Sequence, residues 1–300
     1  MGGDDADPYL VENKDYFRAN KITHDPVNRT IFQRWVGGLD HLELTGGEPM
    51  LSRENREILE MIVADGRAGQ MTLLLTTNGA VVDERILAHL PAFAMVVLTL
   101  SIDDIGERFE YERAPASWAQ TEANLARYAS MTSDRLLMSL NCSVSPLNAW
   151  YLPDLVDWLV ASEHLGAVHL NLNLVHYPRH YNLQVMPPAL KDSTRRHLAR
   201  RQEAAHRPWP ADVRTQVGEL VEFMGGGGGD EAHEWQEFLH VTAGRDAIRG
   251  ESFAATFPEL AAEIERVEAT TAPSAVPQPH RGRGVSLRFP LRRRRRTPTT

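Results

Sequence analysis

The sequence predicts an α/β protein with a parallel β-sheet. Apolar runs of strand length alternate with segments in which apolar residues recur at helical spacing. Strands that are apolar almost throughout are typical of a parallel sheet that helices cover on both faces. Right-handed crossovers then either curl the sheet into a barrel or leave it open and doubly wound. The predicted strands are 39–45, 71–76, 94–101, 136–144 and 168–175, and the helices between them are 53–65, 82–90, 118–131 and 152–160.

The 300 residues divide into four predicted regions. Residues 1–37 are polar, with short helical pieces at 15–21 and 30–35, and residues 38–183 form the α/β unit. Residues 184–271 form a helical region with helices at 189–206, 231–240 and 261–269, and its glycine run at 225–229 is interpreted as a flexible joint. Residues 272–300 are rich in Arg and Pro, a composition that predicts disorder.

The charge of the chain is unevenly distributed. The net charge is −8, but residues 272–300 hold eight Arg and no acidic residue, so residues 1–271 carry 24 basic and 40 acidic groups, or −16. An acidic body argues against general nucleic-acid binding. Only the tail, with Arg292, Arg296 and the arginines between them, offers a contact for RNA, an anionic surface or nuclear-import machinery. A tail without any role is an equal alternative.

Two further features of composition limit the class of protein. No apolar run approaches the length of a membrane span, and the N-terminus lacks the features of a secretory signal, so a cytoplasmic protein is expected. Cys142 is the single cysteine, which excludes an intrachain disulfide and any site built from several cysteines of this chain.

The end of the first predicted strand is the strongest candidate for a ligand site. Gly46 and Gly47 free the backbone, Glu48 supplies a carboxylate acceptor, and Pro49 fixes φ and has no amide hydrogen. A strand-to-helix turn without a ligand uses the same residue types, so this pattern alone leaves both interpretations open.

Other polar residues fall at or near the ends of the later strands, where ligands gather in parallel α/β folds. Each could instead be a helix cap or a turn former, whereas an amide in the middle of a strand must find a partner. His176 and His180 have a spacing that could bind metal on a helix, but Pro178 lies between them and favours a surface or substrate loop. The strand-end residues are Thr77, Asn78, Ser101, Asp103 and Asn141, and the last strand adds Asn171 and Asn173.

The ordered series of strand ends resembles the radical S-adenosylmethionine (SAM) superfamily, and within it the twitch-domain radical SAM proteins. The series is Thr-Gly-Gly-Glu-Pro at 45–49, Thr-Thr-Asn-Gly at 76–79 and Leu-Ser-Ile-Asp at 100–103. Segments 101–118, 141–145 and 248–260 are also similar to that group, and the resemblance covers residues 38–262.

The resemblance implies a partial (β/α)6 barrel, an incomplete TIM barrel, whose mouth holds SAM. Residues 46–49 would lie against the methionyl amino group, and Ser101 and Asp103 would hold the ribose or carboxylate. Asn141 would face the cofactor, and Asn171 or Asn173 would contribute near the adenine. In this family a reduced 4Fe-4S cluster cleaves SAM to a 5′-deoxyadenosyl radical, which abstracts a substrate hydrogen.

The sequence departs from this family at the iron-sulfur cluster. The family's three cluster cysteines, spaced Cys-x3-Cys-x2-Cys after its first strand, are absent, and Cys142 is expected to be a buried core residue on the face opposite Asn141. The five predicted strands correspond to the family's second to sixth, so the first strand is expected to be missing. The chain is then either a truncated reading frame of a complete enzyme or a degenerate paralogue.

The sequence therefore predicts a radical SAM-type protein that does not assemble the cluster, with no metal ligands assigned. The alternative is a non-catalytic module that binds SAM, another nucleoside or a protein partner. The substrate and any catalytic residue stay unassigned.

Overall fold

Five parallel strands form one sheet, in the order in which they occur along the chain. The computed structural model describes residues 26–271. All five predicted strands are confirmed, with boundaries within a residue or two of those expected. They are β1 (His41–Leu44), β2 (Thr72–Thr77), β3 (Met95–Ser101), β4 (Leu136–Val144) and β5 (His169–Leu174). The predicted helix 15–21, most of the region 1–37 and the tail 272–300 lie outside the described residues.

Helices connect the strands and form the region that follows β5. The described residues contain α1 (Pro26–Val36), α2 (Arg53–Ala64), α3 (Glu84–His89), α4 (Gly106–Arg113), α5 (Trp118–Ala129), α6 (Leu152–Ala161), α7 (Pro188–Ala204), α8 (Ala211–Gly225), α9 (Glu231–Arg249), α10 (Phe253–Thr256) and α11 (Pro258–Thr271). The helices α4, α8 and α10 were not predicted, and α9 is longer than expected. Among these helices none combines the length and apolar character that a membrane span requires.

The sheet has one covered face and one open face within the described residues, so the prediction of helices on both faces is wrong for this part of the chain. Alternate residues of β2 and β3 are buried, whereas their neighbours are partly exposed. The physical reason is the strand order, because successive right-handed crossovers place every connecting helix on the same side of the sheet. The covered face carries the core, including Leu73, Leu75, Leu98, Leu100 and Leu140, packed with Ile62, Ile86, Leu125 and Leu155 from the helices.

The outer edge of β5 is closed by a side chain of α8. The carboxamide of Gln216 accepts a hydrogen bond from the Leu172 amide at 2.7 Å and donates one to the Leu170 carbonyl at 2.9 Å. A neighbouring parallel strand would satisfy these two backbone groups in the same way. Gln216 therefore occupies the place of a sixth strand at this edge.

The helices after β5 pack back against the α/β unit through polar as well as apolar contacts. The Tyr111 hydroxyl of α4 donates to Asp246 of α9 at 2.8 Å, and the Tyr151 hydroxyl before α6 donates to Glu259 of α11 at 2.6 Å. Because both tyrosines are almost fully buried, these contacts fix the C-terminal helices on the helix-covered side of the sheet.

Candidate functional site

The carboxylate of Glu48 joins the ends of β1 and β2. Gly46 and Gly47 adopt φ angles of 78° and 43°, which residues with a Cβ rarely adopt, and they turn the chain after β1. Glu48 then caps a short 3-10 helix, Pro49–Leu51, by accepting from the Met50 amide at 3.0 Å. The predicted ligand turn is thus a defined turn with a half-buried carboxylate.

Thr77 and Asn78 hold this carboxylate from β2. The Thr77 hydroxyl donates to Glu48 Oε1 at 2.7 Å, and the backbone amide of Asn78 donates to Oε2 at 2.9 Å. Thr77 is 2% exposed and its hydroxyl also accepts from the Gly79 amide, so it has no surface for a ligand. Its geometry is that of a positioning residue. Glu48 Oε2 accepts a single described hydrogen bond and retains capacity for another donor.

On the open face, the carboxyl-terminal halves of β2 to β5 are polar, and the apolar side chains of β2, β3 and β4 lie nearer the amino-terminal ends. The apolar residues include Leu74, Val97 and Leu137, and the polar residues are Thr76, Thr99, Ser101, Ser139, Asn141, Ser143, Asn171 and Asn173. The polar half adjoins the end of the sheet that carries Glu48, which is where parallel α/β folds bind ligands.

Three of the predicted site residues form one row across this face. Ser101 is the Cα partner of Asn141, and Asn141 is the partner of Asn171. The Asn171 side-chain amide donates to Asn141 Oδ1 at 2.9 Å, which satisfies the partner that a mid-strand amide needs. All three side chains are partly exposed, so the row presents amide and hydroxyl groups to the open side. Asn173 lies further along β5 and is exposed.

Asp103 does not join this row. It is 9% exposed, accepts from Arg113 Nε at 2.7 Å, and accepts from the Ser143 amide at 2.8 Å. The carboxylate therefore ties the end of β3 to β4 and to α4. The structure thus brings Ser101, Asn141 and Asn171 together and directs Asp103 into the interior.

A buried ionic network next to Asp103 was missed by the sequence reasoning. Asp104 is 1% exposed and accepts from Arg108 Nε at 2.8 Å, and Arg108 Nη2 also donates to Asp154 at 3.0 Å. Burial raises the pKa of Asp104 from 3.8 to about 6, even though the hydrogen bond from Arg108 favours the charged form. Arg108 is four residues from Asp104, and that spacing would have revealed the pair if α4 had been predicted.

The raised pKa of Asp104 predicts a pH dependence of stability. Because the folded pKa of about 6 exceeds the ordinary 3.8, the folded state binds more protons than the unfolded state between these values. The Asp104 contribution to stability is therefore greatest below pH 3.8 and is lost as the pH rises through about 6. We expect Asp104→Asn to remove this slope from urea unfolding measured across that window. Asp192→Asn, at an exposed pair, should leave the slope unchanged, and equal slopes in the Asp104 variant and the wild type would contradict the assignment.

Cys142 lies on the covered face, as predicted. Its side chain is fully buried and donates to the Asp103 carbonyl at 3.4 Å, while the preceding Asn141 faces the open side. Burial raises the pKa of the thiol well above its ordinary value, so the thiolate that a metal needs is disfavoured. A 4Fe-4S cluster takes several thiolate ligands, and this sequence has one cysteine. The residues present do not fit an iron-sulfur cluster. Within 26–271, no three His, Cys, Asp or Glu side chains are placed to hold a metal ion.

The main clefts among the described residues do not coincide with the predicted site. Five clefts in the described part of the chain have volumes of about 240–480 Å³, and none is lined by Glu48 or Asn141. His176 and His180 follow β5, and the His176 ring packs edge-on against Phe223 with centroids 5.3 Å apart.

The fold is that of a parallel α/β protein. Towards the carboxyl ends of its strands lie the carboxylate of Glu48 and the row of Ser101, Asn141 and Asn171. No protein-family model matches the chain, and no curated protein is significantly similar to it.

Proposed function

We propose that the chain is a radical SAM-type protein of the twitch group that binds SAM at the carboxyl edge of its sheet. The five strands would form part of an incomplete (β/α)6 barrel, with the open face as its interior. One observation carries the proposal. The anchored carboxylate of Glu48 and the row Ser101, Asn141 and Asn171 lie towards the carboxyl ends of the strands of one sheet.

These residues suit a zwitterionic nucleoside. Glu48 would accept from the amino group of the methionyl part, since its carboxylate is fixed by Thr77 and Asn78 and need not be ordered on binding. Asn141 and Asn171 offer donors and acceptors for ribose hydroxyls and the adenine edge, and Ser101 adds a hydroxyl. Asp103 would act indirectly, by holding the end of β4.

SAM brings a sulfonium centre that can be cleaved by an added electron or attacked by a nucleophile. The residues of this chain do not fit the cluster that would supply the electron, so the proposal ends at ligand binding. The buried Cys142 thereby favours a second candidate, a non-catalytic nucleoside-binding module on the same barrel.

Equilibrium dialysis with radiolabelled SAM tests the binding proposal. We expect saturable binding at one site, with competition by S-adenosylhomocysteine and much weaker competition by ATP, because ATP lacks the methionyl ammonium that would donate a hydrogen bond to Glu48. Absence of saturable binding by a protein with a cooperative thermal transition would contradict the proposal.

Anaerobic reconstitution with iron and sulfide tests whether the function ends at ligand binding. We expect no cluster absorption in the visible spectrum, an identical result for Cys142→Ser, and the same SAM affinity before and after treatment. Cluster absorption that disappears in Cys142→Ser would refute the assignment of Cys142 as a core residue.

A further inference from the structure

A histidine–aspartate pair lies beside the amino-terminal half of the open face. His169 begins β5 as the Cα partner of Ser139, and its Nδ1 lies 2.9 Å from Asp212 Oδ2 of α8. In a neutral imidazole the Nδ1 hydrogen then points to the carboxylate, which leaves Nε2 as a hydrogen-bond acceptor. The pair therefore presents one oriented acceptor nitrogen.

The pair is held in place by the contact that closes the edge of β5. Asp212 and Gln216 are four residues apart, so they share one face of α8. Gln216 is bonded to the backbone of β5 on either side of Asn171, which sets the position of α8 along the strand. An exposed ion pair adds little stability, and these side chains are 54% and 47% exposed. The small gain in folding stability therefore does not explain why His169 and Asp212 are paired.

A cleft of about 480 Å³ adjoins His169 at the amino ends of β4 and β5. This volume falls within the range of small-molecule pockets, about 300–1,000 Å³. Leu137, which is 49% exposed, contributes an apolar wall. The other lining residues are Thr132, Ser133, Leu136, Met138, His164, Ala167 and Val168.

The charge around the cleft favours a cation. Its lining residues include no Lys, Arg, Asp or Glu, but Asp212 places a carboxylate behind His169, and residues 1–271 carry −16 overall. A primary ammonium could donate to Nε2 while its apolar part covers Leu137. We propose that His169, oriented by Asp212, is the recognition residue of a second binding site, which takes a small primary amine with an apolar group. The site lies at the opposite end of the strands from Glu48 and does not depend on SAM binding.

Three benzyl compounds test the proposal in the full chain. Benzylamine offers a charged donor, benzyl alcohol a neutral donor, and benzyl methyl ether no donor. At mildly alkaline pH, we expect benzylamine to shift the His169 imidazole ¹⁵N resonances saturably and to bind at least fivefold more tightly than the ether. The alcohol should fall between them. Equal binding of all three, or shifts that leave His169 unaffected, would overturn the proposal.

Variants separate recognition from folding. His169→Phe and Asp212→Asn should each weaken benzylamine binding at least fivefold, whereas His240→Phe, on the exposed surface of α9, should not. Gln216→Ala should reduce the preference of His169 for the Nδ1-protonated tautomer, a change that a merely structural role would not produce. If His169→Phe fails to fold, Asp212→Asn decides the question, and unchanged affinity in that variant would overturn the proposal.

Discussion

Replacing Glu48 by glutamine is expected to weaken SAM binding about 30-fold. Hydrogen bonds to a charged group contribute about 2 kcal/mol each, and 1.4 kcal/mol is a tenfold change in affinity. The substituted side chain would keep its size but lose the negative charge that the ammonium of SAM requires. It would also place an amide donor opposite either the Thr77 hydroxyl or the Asn78 amide, both of which donate to Glu48. Equilibrium dialysis of the variant against radiolabelled SAM measures the effect.

Two matched variants show whether the loss is specific to this carboxylate. Glu219→Gln makes the same change on the exposed surface of α8 and should retain wild-type affinity. Thr77→Val removes a donor to Glu48 without touching the open face and should weaken SAM binding by a smaller factor, whereas Thr215→Val on α8 should have no effect. Wild-type SAM affinity in Glu48→Gln would remove the main support for the SAM site.

Replacing Asp103 by alanine is expected to lower the free energy of unfolding by about 3 kcal/mol. Removing one partner of a buried ion pair leaves the other charge without compensation, and the side chains of Asp103 and Arg113 are only 10% and 25% exposed. The Ser143 amide would lose its acceptor as well. Urea unfolding at neutral pH measures the change.

An exposed pair of the same residue types provides the control. Asp192 and Arg195 are paired on α7 with side chains 55% and 44% exposed, so Asp192→Ala should change stability by less than about 1 kcal/mol. Similar losses in the two variants would mean that Asp103 is not the buried anchor proposed for the ends of β3 and β4.

The strands were predictable because the pattern that specifies each of them lies within a short stretch of the sequence. Five apolar runs, such as 136–144, are bounded by turn residues, and each became a strand of the sheet. In contrast, α4 is mostly charged, and it is buried only through Phe109 and Tyr111. Tertiary contacts with partners far along the chain, such as Asp246, stabilise a helix of this kind, and local sequence does not reveal them. The periodicity of α8 was present in Val213, Val217, Leu220 and Met224 and could have been used.

The site was predictable at the level of the sheet edge and not at the level of individual side chains. Strand alternation would place Ser101 and Asp103 on the same side, but β3 ends at Ser101, and the chain then turns so that Asp103 meets Arg113. Thr77 lies at the strand end as expected, yet its side chain lies on the covered face and holds Glu48. The pair of His169 and Asp212 depends on how α8 packs along β5, which no local pattern specifies.

Because Gln216 closes the outer edge of β5, a single side chain occupies the position at which another strand would pair. A carboxamide has one donor and one acceptor side by side, so it can copy a peptide group, whereas a methylene or carboxylate side chain cannot. With an aliphatic residue at this position, the Leu170 carbonyl and the Leu172 amide would lose their hydrogen-bond partner. Another extended polypeptide, including a second copy of the same molecule, could then pair with this edge. Protection of the strand against such pairing would then rest on α8 as a steric shield alone.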